Sequence, residues 1–215
     1  MGKIADLQAL KRQMQDDKNL PLRNGATQLV FGEGNPEAQI YFLGEAPGYW
    51  EDQKGRPFVG VAGKLLDELI ESIGLKRAEV YISNVVRFRP PENRDPSPEE
   101  IASFQPYVDQ EIEIIKPRII VTLGRFSMNK FLPDARISKV HGQVKKITWN
   151  GQDVTVIPMY HPAAALRADE IMKQLKADFK IIQQTLNEPP AASADSPSAD
   201  GSKDKEKKAE QLNLI

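Results

Sequence analysis

Four short apolar runs recur along the chain, Gln39–Leu43, Val80–Ser83, Arg118–Leu123 and Val154–Tyr160, each of strand length. The stretches between them carry apolar residues at i, i+3 and i+4 spacing. In VAGKLLDELIESIG, Val61, Leu65, Leu66, Leu69, Ile70 and Ile73 share one face; over Pro98–Ile115, Ile101, Phe104, Val108, Ile112 and Ile115 do the same. Ser97-Pro98-Glu99-Glu100 marks the start of that second helix, with an N-cap serine, proline at the first helical position and acids in the first turn. Strands alternating with helices predict an α/β fold class: a three-layer α/β/α sandwich around a central four-stranded parallel sheet. The opening MGKIADLQALKRQMQDDKNL reads as an amphipathic helix without the apolar core of a secretory signal. No apolar run approaches the ~20 residues that span a bilayer.

Polar residues fall where such a sheet binds ligands. Glu45 follows the first strand, Asn84 ends the second and His161 follows the fourth, and in open α/β sheets ligand sites gather beyond the carboxyl ends of strands. Strand ends carry polar residues in any case, so position alone decides nothing.

Composition narrows the chemistry. The chain has 215 residues and no cysteine, which excludes disulfides, a cysteine nucleophile and cysteine-held metal or iron–sulfur sites. Its two histidines, His141 and His161, cannot build a histidine-rich metal site unaided, so neither metal nor cofactor is expected. Net charge is −1, and the stretch from Glu188 onward carries −2 of it, leaving +1 for the body. DNA affinity, if present, must come from local clusters such as Arg87, Arg89 and Arg94. After Leu186 the chain turns to Pro, Ala, Ser, Asp and Lys, a composition expected to stay disordered. The expected organisation is a domain over residues 1–187 and a tail over 188–215.

Three segments carry candidate chemistry. Gly44-Glu45-Ala46-Pro47-Gly48 leads into Tyr49-Trp50-Glu51-Asp52 and Gly55-Arg56-Pro57-Phe58-Val59-Gly60, where small residues permit close approach of a ligand and Phe58 can serve as a stacking platform. Ser83-Asn84-Val85-Val86-Arg87-Phe88-Arg89-Pro90-Pro91-Glu92-Asn93-Arg94 offers an amide that can read a base edge and a proline-stiffened basic loop suited to phosphates. An ordinary solvated loop would look the same. His161-Pro162-Ala163-Ala164-Ala165-Leu166-Arg167 opens the last long helix behind a histidine.

Together, in this order and spacing, these segments resemble family 4 of the uracil-DNA glycosylase superfamily from about Leu20 to about Leu186. The resemblance implies a monofunctional glycosylase that flips uracil out of DNA and hydrolyses its N-glycosidic bond. It implies that Gly44 and Ala46 shape the pocket, that Phe58 stacks on uracil, that Asn84 bonds O4 and N3–H, and that Glu51 screens against a 5-methyl group. Glu45 stands where a related family has an Asp that aids water attack, and His161 matches the histidine that stabilises charge on uracil O2. Leu166 and Arg167 are implied to probe the minor groove and fill the vacated stack; the basic loop, read by itself, puts Arg87, Arg89 and Arg94 on DNA phosphates.

The chain departs from that family at its iron–sulfur cluster. Where the family has four cysteines, Asp17, Leu20, Phe88 and Phe104 stand here, and Leu20, Phe88 and Phe104 are expected to pack as an apolar plug. A relative that cross-links to the abasic sugar does so from an inserted basic loop; Gly60-Val61-Ala62-Gly63 runs directly into a helix instead. In the tail, Gln211-Leu212-Asn213-Leu214-Ile215 resembles the bacterial sliding-clamp-binding motif, with Gln211, Leu212, Leu214 and Ile215 as partner contacts. That reading implies bacterial cytoplasm, near replication forks; separately, a monomer without membrane contact is expected. Two alternatives remain: a non-catalytic uracil-binding or damage-binding module, and a nucleotide-binding protein, although no GxxxxGK[ST] loop is present.

Overall fold

The computed structural model describes residues 2–188. Met1 and residues 189–215, with the clamp-motif positions Gln211, Leu212, Leu214 and Ile215, lie outside the described residues. In chain order the elements are α1 (Lys3–Asp16), β1 (Glu33–Gly34), β2 (Ile40–Gly44), α2 (Tyr49–Lys54), α3 (Val61–Ser72), β3 (Tyr81–Asn84), α4 (Pro98–Ile115), β4 (Ile119–Leu123), α5 (Arg125–Asn129), α6 (Ile137–Val140), β5 (Lys145–Trp149), β6 (Gln152–Met159), α7 (Pro162–Ala165) and α8 (Asp169–Asn187). No helix among the described residues is long and apolar enough to cross a membrane.

The sheet order is β1-β3-β2-β4-β6-β5. The central four strands are parallel, as expected; β2, β3 and β4 are buried along their whole length and β6 over its second half. The expected four-stranded parallel sheet is corrected at both edges: β1 pairs antiparallel with β3, and β5 pairs antiparallel with β6. Asn150 and Gly151, both at positive φ, make the tight turn between β5 and β6, and β5 alternates between half-buried and exposed residues as an edge strand does.

Side chains of one strand divide between two cores. Tyr41 and Leu43 of β2 join Phe104, Val108, Ile112 and Ile115 of α4 and Leu7, Leu10 and Met14 of α1. Ile40 and Phe42 join Leu65, Leu66, Leu69 and Ile70 of α3 and Leu175, Phe179 and Ile182 of α8. The period-2 alternation of a strand thus meets a helical stripe on each face, which is the three-layer arrangement. Helix α4 begins as its sequence predicts: the Ser97 hydroxyl accepts from the Glu100 amide at 3.2 Å, and the Glu100 carboxylate accepts from the Ser97 amide at 2.7 Å.

The plug expected in place of an iron–sulfur cluster is present. Leu20, Phe88 and Phe104 are buried in the same core, the two rings 6.2 Å apart, with the Arg23 guanidinium 5.1 Å over Phe88. Asp17 accepts a hydrogen bond from the Tyr107 hydroxyl at 2.7 Å. Hydrocarbon rings and one already engaged carboxylate offer no thiolate set, so the residues here do not fit the cluster.

A second expectation is overturned. Arg87 is not on the surface to meet phosphate. Its guanidinium is fully buried, paired with Glu111 of α4 at 2.7 Å and bonded to the Ser83 hydroxyl, and Glu111 also accepts from Tyr41 and Tyr81. Burial works against the guanidinium charge, but the Glu111 carboxylate more than offsets it and raises the Arg87 pKa. A charge so enclosed cannot release counterions from DNA. It ties the loop after β3 to α4 and, through Glu111, to Tyr41 of β2 and Tyr81 of β3.

Candidate active site

The chain passes from β2 through α3 to β3 on one side, then returns through α4 to β4 on the other, so the sheet order reverses at β2. At this switch point a cleft of about 370 Å³ opens beyond the carboxyl ends of the strands. Glu45, Ala46, Glu51, Phe58, Asn84, Arg94, His161 and Arg167 all line it, drawn from separate segments.

Asn84 closes β3 at 2% exposure, and its Oδ1 is buried without a hydrogen-bond partner. An unsatisfied buried acceptor costs ~1–3 kcal/mol. Here it lies beside the Phe58 ring: a Cβ on Gly44 would stand 2.4 Å from Asn84 Oδ1 and 2.5 Å from Phe58 Cζ. Only glycine at 44 lets amide and ring share this floor.

Phe58 itself is held in a left-handed conformation at φ +51°, unusual for an aromatic residue. Two features impose it. The Glu51 carboxylate accepts from the amides of Val59 and Gly60, each at 2.8 Å. Gly63 of α3 packs against the Phe58 carbonyl so closely that a Cβ would come within 2.0 Å of it. Glu51 therefore anchors the ring loop while lining the cleft.

His161 precedes α7 and stacks beside Phe58, ring centroids 5.6 Å apart. The Ala163 amide donates to its Nδ1 at 3.1 Å, so Nδ1 carries a lone pair and the ring proton sits on Nε2. Burial pushes the His161 pKa down to about 4, with Glu51 opposing and Arg167 assisting. A neutral imidazole with a fixed N–H is thus available to a developing anion.

Glu45 lies across the cleft, half-buried after β2. Burial, with the nearby charge of Asp95, pushes its pKa up to about 7, against the opposing Arg125. A carboxyl group near neutrality suits general-base work.

The remaining expected residues divide. Arg94 lines the cleft while gripping Glu100 at 2.6 Å. Arg89 is half-buried, donates to Asn93 at 2.8 Å and lies 5.2 Å from the Tyr49 ring. Leu166 stands exposed at 45% beside Arg167 on the rim. The sequence reading missed Asp95, which lines the cleft and pairs with Arg125, and the Ala163 amide that sets the His161 tautomer. The His-Pro-Ala-Ala order, a histidine directly before a helix-starting proline, is a capping pattern that could have pointed to that amide.

Fold and cleft together define a doubly wound α/β protein whose switch point presents a stacking ring, an amide edge and a neutral imidazole to one planar ligand. The family model of the uracil DNA glycosylase superfamily matches residues 31–186. The type-4 uracil-DNA glycosylase of Sulfurisphaera tokodaii is 46% identical over 184 residues, 83% of this chain and 84% of the relative. That of Archaeoglobus fulgidus is 45% identical over 83% of this chain and 92% of its own, and that of Saccharolobus solfataricus 49% identical over 75% and 77%. The chain belongs to the uracil-DNA glycosylase superfamily.

Proposed function

We propose that this protein is a DNA-repair glycosylase that takes uracil out of the base stack and hydrolyses its N-glycosidic bond, leaving an abasic site. The observation that carries the reading is the buried, unpartnered Oδ1 of Asn84 beside Phe58. Uracil N3–H satisfies that acceptor, and the Asn84 amide N–H meets uracil O4. Cytosine presents the reverse pattern, a donor at C4 and a bare N3, and would leave the acceptor unsatisfied, so it is rejected.

Chemistry follows from the other side chains. As the glycosidic bond lengthens, positive charge grows on the sugar and negative charge on the uracil. The Nε2–H of neutral His161 donates to uracil O2 as that charge appears; one such fixed donor changes rate by ~10²–10³. The Glu45 carboxylate orients and deprotonates the attacking water. Glu51, pinned by two amides, fills the space a 5-methyl group would need and so excludes thymine. Leu166 enters the stack vacated by the flipped base, and Arg89, Arg94 and Arg167 meet phosphate.

Residues 1–187 form the glycosylase domain in this proposal. The tail tethers it to a bacterial sliding clamp through Gln211, Leu212, Leu214 and Ile215, and only that motif supports a bacterial cytoplasmic setting. The test uses a labelled oligonucleotide carrying one uracil, single-stranded and opposite G or A, followed by alkali. Cleavage by the wild type that falls at least ~10²-fold in Asn84→Ala and in His161→Ala is the expected result. Uracil-dependent binding without cleavage would overturn catalysis in favour of a damage-binding module.

A further inference from the structure

Six large apolar side chains stand exposed among the described residues, and four of them, Tyr49, Trp50, Val61 and Leu166, are chain neighbours of residues that line the cleft. Tyr49 and Trp50 are the notable pair, 49% and 53% exposed on the first turn of α2, between Gly48 and Glu51 of the cleft lining. Their rings meet edge to face at 5.1 Å. The Trp50 ring lies against the loop that carries Phe58, since a Cβ on Gly60 would stand 3.6 Å from Trp50 Cδ1.

Two cations lie beside the pair. The Arg89 guanidinium lies 5.2 Å from the Tyr49 ring and the Lys54 ammonium 5.9 Å from that of Trp50. Of the two acids of α2, Asp52 is buried against Thr27 at 2.6–2.8 Å, and Glu51, near Trp50 at Gly60, has its carboxylate engaged by the Val59 and Gly60 amides. Exposed rings flanked by cations, continuous with a base pocket, are what single-stranded nucleic acid needs: π-faces for bases and positive charge for the backbone.

We infer that Tyr49 and Trp50 form a stacking platform for an unpaired base next to the uracil, so that single-stranded DNA is gripped here. A duplex base has both faces covered by its neighbours and cannot stack on this surface. The uracil readout of the inference rests on the glycosylase proposal; its binding readout does not.

The experiment measures Kd and tryptophan-fluorescence quenching for a single-stranded thymidine oligomer without uracil. It also measures KM and kcat on one uracil strand, alone and in duplex. Tyr49→Ala and Trp50→Ala should each weaken single-strand binding and raise single-strand KM by about 5- to 150-fold, the loss of one base stack. They should move duplex KM far less, and kcat less than KM. Trp50→Ala should abolish the quenching, and Trp50→Phe should restore most of the affinity. Unchanged single-strand affinity, or equal losses on single strand and duplex, would overturn the platform. Absence of uracil release by the wild type would refute the glycosylase reading alone, because the thymidine oligomer still decides the platform.

Discussion

Glu45 and His161 face one cleft with pKa values pushed in opposite directions, to about 7 and about 4. Burial causes both shifts, because it penalises whichever form is charged. The consequence is a division of labour: between those values histidine is neutral and donates, while the glutamate gains its base form as pH rises. Log kcat/KM should therefore climb through about pH 7 and then level, with no second acidic limb until near pH 4. Glu45→Gln should remove the limb at about 7 and lower the plateau by ~10²-fold or more. The same shift has a sign for stability. The folded-state pKa lies above the ordinary 4.5, so the folded protein prefers the protonated carboxyl, and stability is lost as pH rises from about 4.5 through about 7. Glu45→Gln should thus raise Tm above pH 7 while it lowers activity. A profile unchanged by the substitution would remove Glu45 from the chemistry.

Helices and central strands were legible because each buries a full stripe or both faces, and burial leaves a pattern in apolar residues: α3, α4 and the runs of β2, β3, β4 and β6 all follow it. The edges were not read. β1 is two residues long and leaves no pattern, whereas β5 had a signal in Asn150-Gly151 flanked by alternation, which marks a hairpin. Arg87 was misread because a charged residue in a Pro-rich loop looks solvated. Its partner was the clue: Glu111 stands on the apolar stripe of α4 with Phe104, Val108, Ile112 and Ile115, a place where a lone carboxylate demands a buried counter-charge. Leu20, Phe88 and Phe104 obey simpler logic, since aromatic side chains beside a buried helix face fill volume. Phe88→Ala with Phe104→Ala should remove about 6–10 kcal/mol, less if the loop relaxes into the space. Denaturant or thermal unfolding reads this directly. An unchanged midpoint would mean that the plug does not support the loop after β3.

The protein meets a polyanion with almost no net charge, so its grip must come from a few placed cations and from stacking. With Arg87 sealed inside and Arg125 paired with Asp95, the cations left to meet phosphate near the cleft include Lys54, Arg89, Arg94 and Arg167, and Arg94 shares its charge with Glu100. Counterion release gives a log–log salt slope of about −0.7 per phosphate neutralised on single strands, so four contacts predict a slope near −3. Such a shallow slope leaves a larger part of the affinity to contacts that salt does not screen, namely the uracil pocket and the exposed rings. Two variants separate the contributions. Arg167→Ala should make the slope shallower by about 0.7. Arg87→Met combined with Glu111→Gln, which removes the buried charges and keeps an acceptor for Tyr41 and Tyr81, should leave the slope unchanged whatever it does to Tm. Titration of a uracil-containing single strand over a range of sodium chloride concentrations gives both numbers. A slope that shallows on losing Arg87 would mean that the loop after β3 opens on DNA and delivers the guanidinium to phosphate, at the expense of the Glu111 pair.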